Sequence, residues 1–163
     1  MLEVEHLLAN ANFVLCLLTP PLFLISYMTR IVAVTGGFDS HVSFAVMDLA
    51  VSPNGKYLCA ATDASRNIIL EVGTSNIIRD LYGHKNDGFS QPRIAWSRSG
   101  KYIYGNTQED SSVCVWDIAS AKMVNKLKSH QGQLRDIFSS QNTDTIVTSA
   151  YDKSVKVWLN EME

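Results

Sequence analysis

From residue 46 onward the chain alternates short apolar runs with polar turns, and the runs come in sets. The stretches VMDLAVSPNGKYLCAATDASRNIILE, QPRIAWSRSGKYIYGNTQEDSSVCVWD and LRDIFSSQNTDTIVTSAYDKSVKVWLN align with one another. In each, an apolar run leads into a turn and a second run follows. A polar turn comes next, and a β-branched run ends at one anchoring position, held by Leu70, Trp116 or Trp158. Runs this short, rich in β-branched and aromatic residues and bounded by Gly, Asn, Asp and Ser, predict strands rather than helices. SPNGKYL and SRSGKYI are nearly the same hairpin, with Gly55 and Gly100 at the turn position that favours φ > 0 and Tyr57 and Tyr102 opening the next strand. The third copy carries QNTD there, a less regular turn. After Leu70 and Trp116 come further apolar pairs, Ile77 with Ile78 and Met123 with Val124, which predict a fourth strand. The expected fold is all-β, built from four-stranded antiparallel units at about 38–82, 83–128 and 129–163.

The spacing of single residues supports the repetition. His41, His84 and His130 are 43 and 46 residues apart, and Trp116 and Trp158 are 42 apart, a period that marks repeat architectures. His41 to Asp63 and His130 to Asp152 are both 22 residues, and Asp110 to Trp116 and Asp152 to Trp158 are both six. With Gly83-His84, Asp110 and VCVWD in one unit and His130, Asp152 and VKVW in the next, residues 38–163 resemble the WD40-repeat family. The resemblance implies blades of a β-propeller.

It also implies a role for these residues. In such a blade a tryptophan on the third strand can donate its indole N–H to a hydroxyl on the second. That hydroxyl reaches the histidine, which the turn aspartate holds. Each such bond contributes ~1 kcal/mol net, whereas a buried partner left unsatisfied costs roughly 1–3 kcal/mol, so the network specifies the blade more than it stabilises it. The second unit has the fullest set: His84, Thr107, Asp110 and Trp116. The third keeps His130, Asp152 and Trp158, but its hydroxyl position aligns with Ala150, leaving Ser149 or Thr148 as substitutes. In the first, Leu70 replaces the tryptophan and Ala64 the aspartate, with Asp63 beside it, and only Thr62 matches.

A histidine, an aspartate and a nearby hydroxyl are also the parts of a hydrolase triad. Recurrence of the trio one unit later favours structural repetition, and no GxSxG, HExxH or phosphate-cradling glycine loop occurs. No catalytic, cofactor-binding or metal-ligating residue is therefore assigned, and the expected class is a non-enzymatic scaffold for protein–protein interactions. The resemblance places partner contacts on the rim, at the entry of the first strand and just before the turn aspartate. In this chain those positions are Gln133, Arg135 and Tyr151 in the third unit, Ser90, Pro92 and Glu109 in the second, and Ala45 and Met47 in the first. Arg135 and Tyr151 are of residue types that often anchor interfaces. The stretch KNDGFSQP makes the second unit's entry loop four residues longer than the third's. Ubiquitin-ligase adaptor propellers often carry arginine two residues after the Trp-Asp pair, a position held here by Ala119, so that role is not assigned.

Composition changes little in this picture. With 163 residues, 46% hydrophobic and 18% charged, the chain can bury a sizeable core. A net charge of −2 gives no electrostatic case for nucleic acid. Cys16, Cys59 and Cys114 form no CxxC pair, which fits a reducing, cytoplasmic or nuclear setting. The exception is the start, where Leu7 to Thr29 gives 23 residues without a formal charge. That is long enough to raise membrane association through residues 7–28 as an alternative. Asn10, Asn12, Pro20 and Pro21 interrupt it, and Glu3 and Glu5 stand where a signal peptide carries positive charge. Residues 1–29 are expected to begin helix-like, break at Thr19 and pack against apolar surface of the repeat region; a further reading makes them no native part of the fold. Propellers close with about four to eight blades, so three units imply self-association or missing blades. The third unit stops too soon for a fourth strand, and RIVAV at 30–34 is a candidate closing strand.

Overall fold

The computed structural model describes residues 44–159 except 75, 88 and 129. His41, the apolar segment 1–29 with its membrane alternative, and the candidate closing strand 30–34 lie outside the described residues. Every described residue belongs to one compact unit, Val42–Glu163.

All regular structure described in that unit is β. The first sheet runs in the order β1 (Val46–Val51), β2 (Tyr57–Thr62), β3 (Asn67–Glu71), β4 (Ile77–Leu81). The second repeats it with β5 (Ile94–Trp96), β6 (Tyr102–Asn106), β7 (Ser112–Asp117) and β8 (Lys122–Lys128). The third has β9 (Leu134–Ser139), β10 (Thr145–Ala150) and β11 (Val155–Leu159), three strands among the described residues. Every pairing is antiparallel between sequence neighbours. Each unit is thus a meander, the arrangement that tight turns between alternating strands produce. Gly55 and Gly100 both adopt φ 69° in their hairpins. The third hairpin lacks that glycine yet closes with the same bond, the Ser140 amide donating to the Thr145 carbonyl at 2.9 Å, as Ser97 does to Tyr102.

The first strands of successive sheets lie side by side, β1 with β5 and β5 with β9. Between the first and second sheets the core holds Cys59, Ala61, Ile69 and Leu81 against Ile94, Ile103, Cys114 and Trp116. Ala95, Val113, Leu134, Ile137 and Ile146 fill the space between the second and third. Polar bonds fix how the first two sheets meet. Trp96 donates its indole N–H to the Ala50 carbonyl at 2.8 Å. Asp48 accepts the Leu49 amide on one oxygen at 2.9 Å and the Ile94 amide of the next sheet on the other at 3.0 Å. Burial pushes the Asp48 carboxyl up, and these amides and Arg93 oppose the shift. Cys59 and Cys114 are fully buried, and burial raises both thiols, that of Cys114 to about 11. Such thiols pack as small apolar side chains and are unreactive.

Candidate functional site

Two sets of residues bear on function: the polar groups inside each sheet and the rim that the loops form. In the third sheet Ile146 pairs with Trp158 and Thr148 with Lys156. Thr148 is therefore the diagonal, same-face neighbour of Trp158. The Trp158 indole N–H donates to the Thr148 hydroxyl at 3.0 Å, and that hydroxyl lies 2.9 Å from His130 Nε2. On the other side of the ring, Nδ1 is 3.1 Å from Asp152 and 2.8 Å from the Ser154 hydroxyl. One consistent polarity runs through the chain: Trp158 donates to Thr148, Thr148 to Nε2, and the Nδ1–H to Asp152. The Asp152 carboxylate also accepts the Ser154 hydroxyl at 2.6 Å and the Ser154 and Gln131 amides at 3.0 Å. The Ser154 hydroxyl foremost, with these amides and His130, holds its carboxyl far below the ordinary range. Gly132 packs so closely that a Cβ there would lie 2.9 Å from the Asp152 amide nitrogen, so a side chain would push this turn away.

The second sheet does not join its four corresponding residues. Trp116 pairs with Ile103, which makes Gly105 its diagonal neighbour, the position Thr148 holds in the third sheet. With no hydroxyl there, the indole N–H of Trp116 donates to the Tyr82 carbonyl at 2.8 Å. The ring lies over Gly105, where a Cβ would come 3.1 Å from it. His84 is buried edge-on to Trp116, ring centroids 5.0 Å apart, and neither of its nitrogens has a hydrogen-bond partner among the described residues. Burial lowers the His84 imidazole to about 4, so the ring is neutral near pH 7. Thr107, expected in the hydroxyl slot, lies beyond the end of β6 and exchanges bonds with the Lys85 backbone at 3.1 and 3.3 Å. Asp110 lies 3.0 Å from Lys126 rather than at the histidine. The expectation that the second unit carries the fullest network is thereby corrected. Its residue types are present, but the hydroxyl is two residues out of register. In the first sheet the same slot, diagonal to Leu70, is Ala60, and Asp63 accepts the Ala45 amide at 2.8 Å instead.

On the rim a cleft of about 230 Å³ opens between the second and third sheets, lined by Asn86, Phe89, Ser90, Gln108, Gln133 and Tyr151 among others. The long entry loop forms one wall. Ser90 is buried and ties that loop to itself, accepting the Asp87 amide at 2.7 Å and bonding Gln108. Asn106 braces the loop end, accepting the Arg93 amide at 2.6 Å and donating to the Gln91 carbonyl at 3.1 Å. On the opposite wall the Tyr151 amide donates to the Gln133 carbonyl at 3.0 Å. Arg135 stacks over the Tyr151 ring at 4.9 Å and donates to the Tyr151 hydroxyl at 2.7 Å and to Gln91 at 2.8 Å. This clamp joins the two walls. Of the eight rim residues singled out from sequence, Ser90, Gln133 and Tyr151 line the cleft, Arg135 reaches it through Tyr151, and Pro92, Ala45 and Met47 are not part of its lining. Glu109 points elsewhere, to Lys85 at 3.3 Å and Lys126 at 3.9 Å. Sequence reasoning missed the carboxamides of Asn86, Gln91, Asn106 and Gln108 and the ring of Phe89, which is 93% exposed. The inserted loop was the signal for most of them.

The family model described as "WD domain, G-beta repeat" matches residues 28–69, 75–117 and 121–158. Protein HIR1 of Phaeosphaeria nodorum is 28% identical over 124 residues, 73% of this chain and 12% of that protein. Human DDB1- and CUL4-associated factor 10 is 25% identical over 115 residues, 70% of this chain and 20% of its own length. Human WD repeat-containing protein 36 is 32% identical over 104 residues, 60% and 12% of the two chains. The chain thus spans a quarter or less of these relatives. A solved structure described as that of U3-55K superposes with a TM-score of 0.62 at 19% identity, over 72% of this chain and 36% of that one.

Proposed function

Because the chain belongs to the WD40-repeat family, we propose that it is a non-catalytic interaction module that binds an extended peptide segment of a partner protein in the rim cleft. The observation that carries this reading is the cleft's lining. Carboxamides of Asn86, Gln108 and Gln133 surround it, and amide groups of this kind can both donate to and accept from a peptide backbone. Phe89 is an exposed apolar anchor on one wall and Tyr151 a half-apolar one on the other. Arg135 is already oriented by its stacking on Tyr151, so its remaining N–H groups suit an acidic side chain on the peptide. In this reading the His130–Thr148–Trp158 network and Asp152 act as struts, positioning the 151–152 turn and hence Tyr151.

A hydrolase reading needs His84 beside Asp110. His84 is instead buried against Trp116, and Asp110 pairs with Lys126. In the third sheet His130 does join Asp152 to the Thr148 hydroxyl, but that hydroxyl is fully buried and also holds the Trp158 indole, so no substrate reaches it. Association with DDB1 and CUL4 is what the name of one relative says of that relative. Ala119 gives no support for carrying it over. No described helix is long and apolar enough to cross a membrane, and the membrane alternative rests wholly on residues 7–28, outside the described region. A nuclear or cytoplasmic location belongs to the same proposal.

The test is selection of binders from a random-peptide display library on the full chain, followed by titration of the selected peptides. Phe89→Ala and Tyr151→Ala should each weaken binding about tenfold or more, as truncation of aromatic anchors does, while Glu109→Ala leaves it unchanged. Selected peptides that bind both cleft variants as tightly as the parent would exclude the cleft as the docking site.

A further inference from the structure

The carboxamides around the rim cleft are not equally free. Asn106 is bonded at both ends, accepting the Arg93 amide at 2.6 Å and donating to the Gln91 carbonyl at 3.1 Å. The side-chain oxygen of Gln91 accepts from Arg135 at 2.8 Å, and that of Gln108 bonds the Ser90 hydroxyl. Gln133 is exposed to solvent. Asn86 differs from all four. It lines the cleft, yet both ends of its carboxamide, Oδ1 and Nδ2, are shielded from bulk water and have no hydrogen-bond partner among the described residues.

The backbone that carries this side chain is fixed. One hydroxyl, that of Ser65 in the turn between β2 and β3, accepts the Asn86 amide at 2.9 Å and donates to the Asn86 carbonyl at 2.8 Å. The carbonyl of the preceding residue, Lys85, accepts the Gln108 amide and the Thr107 hydroxyl, each at 3.1 Å. The chain at 85–86 is thus tied to turns of both the first and the second sheet, and the Asn86 carboxamide is the part left unbonded. A buried donor and acceptor without partners cost free energy that a bound group can recover. Because no bond holds the carboxamide, turning it toward a ligand breaks nothing.

What such a group recognises follows from its shape. A carboxamide sets one acceptor and one donor side by side, so it matches a partner that offers a donor and an acceptor at the same spacing. In an extended peptide the N–H and C=O of one residue point to the same side and meet that requirement, at any residue except proline.

We propose that Asn86 binds the backbone N–H and C=O of a single residue of the docked peptide, so that the cleft reads the extended conformation there and not the side chain. This rests on the peptide-binding reading of the cleft and goes beyond it by naming the group that sets the peptide's register and the residue type, proline, that this position rejects.

The test uses the full chain and the peptides selected on it, each also synthesised with one backbone N–H replaced by an ester oxygen, position by position. At one position the ester should weaken binding to the parent about tenfold, and proline should be absent there from the selected sequences. Asn86→Leu is close in shape but has no donor or acceptor. It should weaken the amide peptide about tenfold and bind the amide and ester forms alike at that position, while its melting temperature stays at or above the parent's because an unpaired buried group has gone. Asn86→Ala adds no bulk and repeats the comparison if leucine does not fit. Peptides that need Phe89 and Tyr151 but bind both Asn86 variants as tightly as the parent would overturn this proposal and leave the cleft reading standing. An ester effect that persists undiminished in the variants would do the same. So would variants that both melt well below the parent, which marks the carboxamide as an internal strut held by water. Failure to select any peptide removes both the proposal and the reading it rests on.

Discussion

The second and third sheets hold the same histidine, aspartate and tryptophan at nearly the same spacing, yet only the third wires them together. Thr148 accepts from Trp158 and bridges to His130. Its counterpart Gly105 has no hydroxyl, and Trp116 uses the space by lying against the glycine. The second sheet gains a fully buried indole and leaves a buried imidazole unpaired. The third satisfies every polar atom of its strut at the cost of a half-buried tryptophan. A repeat's polar signature is therefore not a set of letters; it works only when strand pairing brings the letters to one face.

This contrast can be broken in steps of decreasing size. Trp116→Ala empties the centre of the core between the first two sheets and should cost about 3–5 kcal/mol in chemical denaturation, near the limit of what a domain tolerates. Thr148→Val keeps the shape of the third sheet's bridge but orphans the Trp158 N–H and His130 Nε2. It should cost about 1–3 kcal/mol, while Thr107→Val, which loses bonds only to the Lys85 and Glu109 backbone, costs about 1 kcal/mol or less. Exchange at the histidines should separate the sheets again. His130→Leu breaks three bonds, whereas His84→Leu removes an unpaired buried imidazole and should be neutral or stabilising.

The same pair differs in pH response. The His84 pKa falls from 6.5 to about 4 on folding, so between those values the unfolded chain binds the extra proton. The His84 contribution is then fully present above about pH 6.5 and is lost as pH falls toward 4. Melting profiles of His84→Leu should lack that part of the acid destabilisation. Asp152, whose folded carboxyl lies below its unfolded value, contributes stability present above the ordinary carboxylate range and lost at lower pH, through the third sheet alone. The smallest effect belongs to Glu109→Ala, a surface ion-pair partner, with a change under about 1 kcal/mol by denaturation.

Much of the fold was legible because alternation and turn chemistry are local. Gly55 and Gly100 announce their hairpins, and the apolar pairs at Ile77 and Met123 announce the fourth strands. The hydroxyl slot was misread because Thr107 came from aligning the repeats along the chain, which does not record how β6 pairs with β7. Counting back across the hairpin from Trp116 to Ile103 and two residues on would have reached Gly105. Trp96 passed unremarked, since nothing in IAW shows that its indole reaches a carbonyl in another sheet. The cleft was half legible: the long loop marked its place, but the convergence of carboxamides depends on how two sheets meet, which no local pattern records.

The most direct test of the register claim is a pair of double-mutant cycles by denaturation, Thr148→Val with Trp158→Phe in the third sheet and Thr107→Val with Trp116→Phe in the second. A coupling energy of about 1 kcal/mol or more for Thr148 with Trp158, and none measurable for Thr107 with Trp116, is the predicted result. Equal couplings, or the larger one in the second sheet, would contradict it.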